Sequence, residues 1–336
     1  MKKWIPRKIT LTVLLFFTFI GVLFAWGEWG HQHINRAAVF ALPEEMRVFF
    51  YNHIDFITDE AVVPDLRKYS INDKAEFARH FIDVENFGNN PVDSLPRTMK
   101  DALVKYPDSF LQRNGILPWY IQDMMTKLTT AFKNRRTTEI IFLAADLGHY
   151  LGDANMPLHT AVNHDGQFTD QKGIHAFWES QIPELFGNNY NFNTGPALYI
   201  NDIQKETFRI IADSHGNIDT LLSIEKNLKA SYDKSKMYVL DSAGNITRNK
   251  FNQPVHTYEY AKAYHDALHG MVERQLRKAI TATANFWYTA WVNAGKPNLN
   301  DLDSREMTDR NEKNLNKEYK LWEKGKLFGF KTDKEF

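Results

Sequence analysis

Residues 138–154 constrain the fold more than any other part of the sequence. They are apolar on nearly every side and yet contain ionisable groups near their end. An all-round apolar segment of this length predicts a helix buried at the centre of the molecule. His149 and Asp153 lie four residues apart, so a helix places both on one face. A buried carboxylate beside a buried imidazole is unfavourable unless the two are paired or bind a metal ion.

The rest of the chain has the same helical period. Segments with apolar residues at helical spacing predict four more helices, at 31–42, 118–132, 203–230 and 257–293. The polar, turn-rich segment 233–254 predicts a surface insertion or a small hairpin. We find no alternating pattern long enough for a sheet core and no internal repeat. The sequence therefore predicts an all-α, single-domain, multi-helix protein.

The N-terminus has the pattern of a secretory signal. Four basic residues precede an apolar run over residues 9–24, which is shorter than the roughly 20 residues that span a membrane, and Ala25 follows. We expect cleavage after Ala25 and a secreted or periplasmic protein, with a retained N-terminal anchor as the alternative. The expected organisation is a signal peptide over 1–25, one domain over 26–295 and a charged tail, peripheral and partly ordered at best, over 296–336.

Composition and charge exclude several classes of function. The chain has no cysteine, so disulfides, thiolate metal sites and cysteine nucleophiles are excluded, and its 12 histidines become the natural metal or acid–base groups. Removing residues 1–25 takes away four cations and no anions, which leaves 37 basic and 41 acidic residues, a net charge of −4. A broad basic face that binds nucleic acid is therefore not expected.

More ionisable groups follow the predicted central helix. His159 comes six residues after Asp153, and His175 and Glu179 repeat the spacing of four seen in His149 and Asp153. One such pair alone is usually a surface pair or a satisfied core histidine. Three imidazoles and two carboxylates within 31 residues instead suit zinc, and they exceed what one tetrahedral site needs. His31, Asp65 and His80 are further candidates upstream.

Three stretches of the sequence match a known pattern. They are Trp26-Gly-Glu-Trp-Gly-His31, His80-Phe81-Ile82-Asp83 and the block from His149 to His159. With them the chain resembles the superfamily that joins bacterial zinc-dependent phospholipases C with the single-strand-specific zinc nucleases of fungi and plants. In that superfamily a mature N-terminal tryptophan binds zinc through its amine and carbonyl, and Trp26 directly follows the expected cleavage site.

Some sequence features resemble one branch of the superfamily and some resemble the other. The five-residue step from Trp26 to His31, the run from His80 to Asp83 and the last long helix resemble the nucleases. Two features are closer to the phospholipases, namely Glu179 and the motif His-Tyr-Leu-Gly-Asp, which begins at His149.

The resemblance implies a trinuclear metal cleft with three zinc ions. The first ion would be held by Asp65, His80, His149 and Asp153. The second would be held by His159, His175 and Glu179. The third would be held by Trp26, His31 and Asp153, so that Asp153 bridges two ions. Such ions lower the pKa of bound water, and a metal-activated hydroxide then suits attack on a phosphodiester without a protein nucleophile.

The resemblance also implies substrate contacts. Asp65 belongs to the catalytic motif, in which the nucleases place a phosphate-clamping arginine three residues on. Here Lys68 stands at that position and Arg67 one residue earlier, and lysine cannot form the two-pronged contact of arginine. Phe81 is expected to stack on a base or to belong to the core. Asp83 is expected to hydrogen-bond to that base or to cap a turn.

These observations lead to one expectation with two alternatives. We expect an exported zinc-dependent phosphodiester hydrolase, a nuclease acting on single-stranded DNA or RNA. The first alternative is a zinc-dependent phospholipase C acting on phospholipid head groups, and the second is a catalytically silent secreted metal-binding protein. We expect no stable protein partner and a monomer.

Overall fold

The computed structural model describes residues 27–88, 91–302, 308–327 and 336. Within these ranges the regular structure is helical and no segment forms a β-strand, which confirms the all-α prediction. The α-helices are α1 Gly27–Ala41, α2 Glu44–Asn52, α3 Ile54–Glu60, α4 Val63–Tyr69, α5 Lys74–Phe77, α6 Pro91–Ser94, α7 Met99–Lys105, α8 Asp108–Asn114, α9 Leu117–Lys133, α10 Thr137–Ala154, α11 Ile174–Ala176, α12 Ile182–Phe186, α13 Ile203–His215, α14 Ile218–Ser231, α15 Tyr258–Ala267, α16 Met271–Asn293 and α17 Asp309–Glu323. No helix in the described ranges has the length and apolar character needed to cross a membrane.

Helix α10 lies at the centre, as its composition predicts. It packs against α1, α3, α9 and α16, and from Leu147 to its end every residue is buried. Asn35 of α1 donates hydrogen bonds to the carbonyl oxygens of Ala145 in α10, at 3.1 Å, and of Ile57 in α3, at 3.2 Å. Trp287 of α16 donates to the carbonyl oxygen of Ala144 at 2.9 Å. These buried polar contacts fix the position of α10 among its neighbours.

Two predicted helices are each broken into two. The segment 203–230 forms α13 and α14 with a turn at Gly216 and Asn217, residue types that favour turns. The segment 257–293 forms α15 and α16, separated at His269 (φ 47°) and Gly270 (φ 77°). Two successive residues in the left-handed region end a helix. The prediction of single long helices was therefore wrong at both places.

The predicted hairpin segment and the predicted C-terminal tail differ in how closely the structure matches the prediction. Residues 238–256 make three isolated antiparallel bridges, in keeping with the predicted small hairpin. Helix α17, in the segment expected to be a peripheral tail, instead packs on α1. Trp322 is buried, and Glu318 forms an ion pair at 3.2 Å with Arg36 of α1. Few apolar residues are needed for this contact, because a buried ion pair supplements them.

Candidate metal centre

One group of side chains consists of His159, His175 and Glu179. Nδ1 of His159 donates to the carbonyl oxygen of His80 at 2.6 Å, and Nδ1 of His175 donates to that of His164 at 2.8 Å. Each ring therefore presents the lone pair of its Nε2 atom to the group. The two Nε2 atoms are 3.2 Å apart, and they lie 3.6 and 3.2 Å from Oε2 of Glu179.

Three lone pairs that converge in this way repel one another unless a cation lies among them. Zinc bonds of 2.0–2.2 Å at tetrahedral angles place ligand atoms about 3.3–3.6 Å apart. The observed separations of 3.2–3.6 Å match that spacing. The donor set of this group thus fits a zinc ion.

The backbone explains why these three residues meet. His159 lies in a short 3₁₀ turn that directly follows α10, and His175 lies in α11. Glu179 follows in a single π-helical turn over Phe177–Gln181. Such wide turns within helices are frequent at functional sites. The spacing of four thus brings His175 and Glu179 into contact.

Asp153 lies at the centre of a second set of contacts. Its carboxylate is fully buried. One oxygen, Oδ1, lies 3.5 Å from Nε2 of His31. The other, Oδ2, lies 3.0 Å from Nδ1 of His80 and 3.3 Å from Nε2 of His149. One carboxylate therefore faces imidazoles on both of its oxygens, which is the arrangement that a bridging ligand requires.

Two groups around Asp153 have ligand atoms close enough to hold an ion. One consists of His31, His149 and Asp153, and the other of Asp65, His80 and His149. Nδ1 of His149 donates to the carbonyl oxygen of Ala61 at 2.7 Å, so its Nε2 lone pair faces the groups.

Several buried ligand atoms have no hydrogen-bond partner among the described residues. They are both ring nitrogens of His31, Oδ2 of Asp65 and Oδ1 of Asp153. A buried acceptor without a donor destabilises a fold by about 1–3 kcal/mol. Bound metal ions satisfy such atoms, so these two groups also fit metal.

The protonation of the groups suits metal binding. Burial and the neighbouring His149 lower the pKa of His31 to about 4, which keeps its ring neutral. Burial raises the pKa of Asp153, but the nearby His149 and His159 outweigh it and hold that pKa well below its usual range. A neutral imidazole and an ionised carboxylate are the forms that coordinate zinc.

A buried carboxylate supports His80 from the side opposite Asp153. Oε1 of Glu76 lies 3.5 Å from Nε2 of His80 and accepts a hydrogen bond from the hydroxyl of Tyr150. Its other oxygen accepts from Nε of Arg67 at 3.2 Å and from Arg79 at 2.9 Å. A carboxylate behind a metal-binding histidine fixes the orientation of the ring. Sequence reasoning missed Glu76, although its spacing of four from His80 is a usable signal.

The same network decides where Arg67 points. Its guanidinium also donates to Asp146 at 2.7 Å, and Arg67 is not among the residues that line the pocket beside the metal groups. Lys68 does line that pocket, and its Nζ lies 3.1 Å from Oδ1 of Asp65. Of the two cations expected near phosphate, the structure therefore places Lys68 at the pocket and Arg67 behind it.

The pocket brings the metal groups and the expected substrate contacts together. Its lining residues are Lys68, Phe77, His80, Phe81, Asp83, Arg113, Leu158, His159, Ala161, His164 and His175. Burial, and then the nearby Glu85, raise the pKa of Asp83 to about 7.

The loop between α8 and α9 holds the wall of the pocket in place. Leu117 donates from its backbone nitrogen to the carbonyl oxygen of Phe81 at 3.2 Å, and Asp83 donates to that of Asn114 at 2.8 Å. Gly115 has φ +85°, and a Cβ there would lie 2.0 Å from the Phe81 oxygen. Only glycine allows this approach.

Comparison with known families agrees with the geometry of the site. The sequence matches the family described as S1/P1 Nuclease over residues 26–286. The chain belongs to the S1/P1 nuclease family. S1/P1 nucleases are zinc-dependent phosphodiesterases that act on nucleic acid, and nothing in the comparisons supports the phospholipase alternative. A comparison with curated proteins finds no match.

The structure brings together nearly all of the expected metal ligands of this S1/P1 nuclease. The eight that share the three buried groups are His31, Asp65, His80, His149, Asp153, His159, His175 and Glu179. Trp26, the ninth expected ligand, lies outside the described residues.

Replacing Glu76 by glutamine tests its support of His80. We expect the affinity for one metal ion to fall about 10- to 100-fold, because the amide no longer neutralises Arg67 and Arg79 or fixes the ring. Competition for zinc with a chromogenic chelator measures this. Glu139→Gln, an exposed change on α10, is the control. Equal zinc affinity in Glu76→Gln and wild type would contradict the assigned role.

Proposed function

We propose that the protein is an exported nuclease that hydrolyses phosphodiester bonds in single-stranded DNA or RNA with three zinc ions. One observation carries the proposal. His80, His159 and His175, which belong to groups that fit metal, line the same pocket as Phe81 and Asp83. Metal ions and a nucleobase would therefore lie next to each other, as cleavage of a bound strand requires.

The proposed ligands are those expected from the family resemblance. One ion is assigned to Asp65, His80, His149 and Asp153. A second is assigned to His159, His175 and Glu179. A third is assigned to Trp26, His31 and Asp153. Bound zinc polarises phosphoryl oxygens and lowers the pKa of water towards neutral.

The residues of the chain position the substrate. Lys68 lines the pocket beside Asp65. Its ammonium group contacts a non-bridging phosphate oxygen through a single charge interaction. The ring of Phe81 stacks on a base, and the carboxyl of Asp83 hydrogen-bonds to the edge of that base. Asp65 would hold one of the ions, and the ion pair with Lys68 orients its carboxylate. Arg67 acts only through Glu76 and His80, because its guanidinium is engaged behind the pocket.

Charge supports the same assignment. Without residues 1–25 the chain has a net charge of −4, so no general basic surface attracts a polyanion. Divalent ions at the pocket would concentrate positive charge where the phosphate must bind, and Lys68 and Arg113 line that pocket.

We also propose the organisation and location expected from the sequence. Residues 1–25 act as a signal peptide that is removed after Ala25, residues 26–295 form the nuclease domain, and the protein acts as a monomer outside the cytoplasm. The start of α1 supports the N-terminal ligand. A Cβ on Gly27 would lie 2.6 Å from Oγ of Ser180, the residue after Glu179, so the backbone that follows Trp26 lies against the turn that carries Glu179.

Release of acid-soluble nucleotides from single-stranded DNA tests the activity. Protein that begins at Trp26 is expected to release them, and a chelator is expected to stop the release. Asp153→Asn is expected to lower the rate on the order of 100-fold or more, because it removes charge from two metal sites at once. His33→Ala should cost less activity than Asp153→Asn, since His33 belongs to none of the three groups that fit metal. No release from zinc-loaded protein would favour the silent metal-binding alternative.

Extending the N-terminus tests the third zinc site. An α-amino group binds metal only while it is free, so even two residues added before Trp26 should remove one zinc ion and most activity. Metal content is measured by inductively coupled plasma mass spectrometry. Proteolytic removal of the extension should restore the ion, and the same residues added after Phe336 serve as the control. Unchanged zinc content in the extended protein would exclude this ligand.

The pH dependence of KM tests Asp83. Because the pKa of Asp83 is raised to about 7, its carboxyl is protonated below that pH and ionised above it. The ionised form accepts stronger hydrogen bonds from base amino groups. The KM for single-stranded oligonucleotides should therefore fall as pH rises through about 7, and Asp83→Asn should lack this step. Parallel profiles for the two proteins would show that Asp83 does not contact the base.

A further inference from the structure

A second aromatic ring lies in the pocket beside Phe81. Phe77 is 52% exposed and lines the pocket, which is partly open to solvent. Its ring centroid lies 5.5 Å from that of Phe81, and the two ring planes meet at 75°. Neither the family resemblance nor the proposed function uses Phe77. An apolar ring left half-exposed inside a pocket is a surface on which a flat ligand can stack.

The metal centre itself explains why Phe77 points into the pocket. Phe77 ends α5, and the preceding residue, Glu76, is fully buried against His80. Consecutive residues on a helix point about 100° apart. With Glu76 directed inward to support His80, Phe77 is turned out towards the pocket. The exposure of Phe77 is therefore a consequence of the inward orientation of Glu76 and not of imperfect packing.

Cations accompany the two rings. Nζ of Lys68 lies 6.0 Å from the centroid of the Phe77 ring. Arg113 is exposed, lines the same pocket and forms no ion pair with the described residues. The backbone that follows Arg113 is fixed at the pocket wall, because Asn114 accepts a hydrogen bond from Asp83 and Gly115 approaches Phe81 closely. Two aromatic rings in a pocket that two cations also line match the alternation of base and phosphate in a single strand.

We propose that Phe77 stacks on a second base of the bound strand, next to the base on Phe81, and that Arg113 contacts the phosphate of this added nucleotide. The inference rests on the proposed function, because it extends the same binding pocket. It makes a single-stranded segment of two or more nucleotides, rather than one nucleotide, the unit that the pocket recognises. A paired duplex cannot use two rings at this angle without unstacking its bases.

Equilibrium binding separates this subsite from the rest of the pocket. Zinc-loaded protein is titrated by calorimetry with 5′-dAMP and with a phosphorothioate-linked adenine dinucleotide, which resists hydrolysis. Phe77→Ala should raise the Kd of the dinucleotide about tenfold or more and leave the Kd of 5′-dAMP unchanged. Phe81→Ala should raise both. Phe168→Ala removes another ring, 70% exposed and outside the pocket lining, and should change neither.

Two further variants check the mechanism of binding. Phe77→Trp should restore tight binding of the dinucleotide, since indole also stacks, whereas a purely packing role would not tolerate the larger ring. Arg113→Gln should raise the Kd of the dinucleotide but not that of 5′-dAMP. It should also reduce the salt dependence of the dinucleotide Kd by the amount expected for the loss of about one phosphate contact. Thermal unfolding of each variant confirms that it is folded.

The outcomes distinguish the two proposals. If Phe77→Ala raises both Kd values equally, Phe77 only supports Phe81, and the second subsite is wrong. If it raises neither, the subsite is also wrong, while hydrolysis of single-stranded DNA by the wild type would leave the proposed function intact. If the wild type binds neither ligand and releases no nucleotides, both proposals fail.

Discussion

The position of one buried carboxylate governs the rest of the structure. Asp153 lies in the most deeply buried helix, and its two oxygens face His31 on one side and His80 and His149 on the other. A charge at that depth is tolerated only where cations or donors surround it. The surrounding helices are held so that they deliver those groups, with α1 and α3 tied to α10 by Asn35. The core of this protein is therefore organised around a polar site.

Support for the metal groups extends outward in a chain of contacts. Glu76 fixes His80, while Arg67, Arg79 and Tyr150 surround Glu76. Because Glu76 is drawn inward, α5 turns its last residue towards the pocket. The binding surface thus inherits its shape from the residues that hold the metal ligands. Changes made to this network for stability would alter both metal affinity and substrate contacts.

Sequence reasoning was most successful where contacts are local. The spacing of four in His149 and Asp153, and in His175 and Glu179, fixes each pair on one helical turn, so spacing alone predicts contact. Asp65 and His31 come together with them only through long-range packing, so the sequence marked these two residues as weak candidates and only the family resemblance placed them in a common site. Sequence reasoning did not identify Glu76, because the local sequence does not show whether its carboxylate is buried.

The errors have equally specific causes. Each of the two segments predicted as one helix contains turn-forming residues, such as Gly270 after His269. The prediction gave more weight to the helical spacing of the apolar residues than to these turn signals. The segment expected as a charged tail includes α17, and neither the burial of Trp322 nor the ion pair between Arg36 and Glu318 is evident from composition. Composition does not distinguish a solvated charge from one that is paired across an interface.

The three metal groups differ in the span of chain that each one joins. His159, His175 and Glu179 lie within 21 residues of one another, whereas a second group joins His31 to Asp153 across more than 100 residues. Helix α10, which carries Asp153, also packs against α16 near the end of the described chain. The first group needs only a short stretch of chain to be in place, whereas the group that joins His31 to Asp153 needs α1 packed on α10. Local unfolding that separates α1 from α10 would therefore disrupt the group at His31 and Asp153 and leave the contacts among His159, His175 and Glu179 in place.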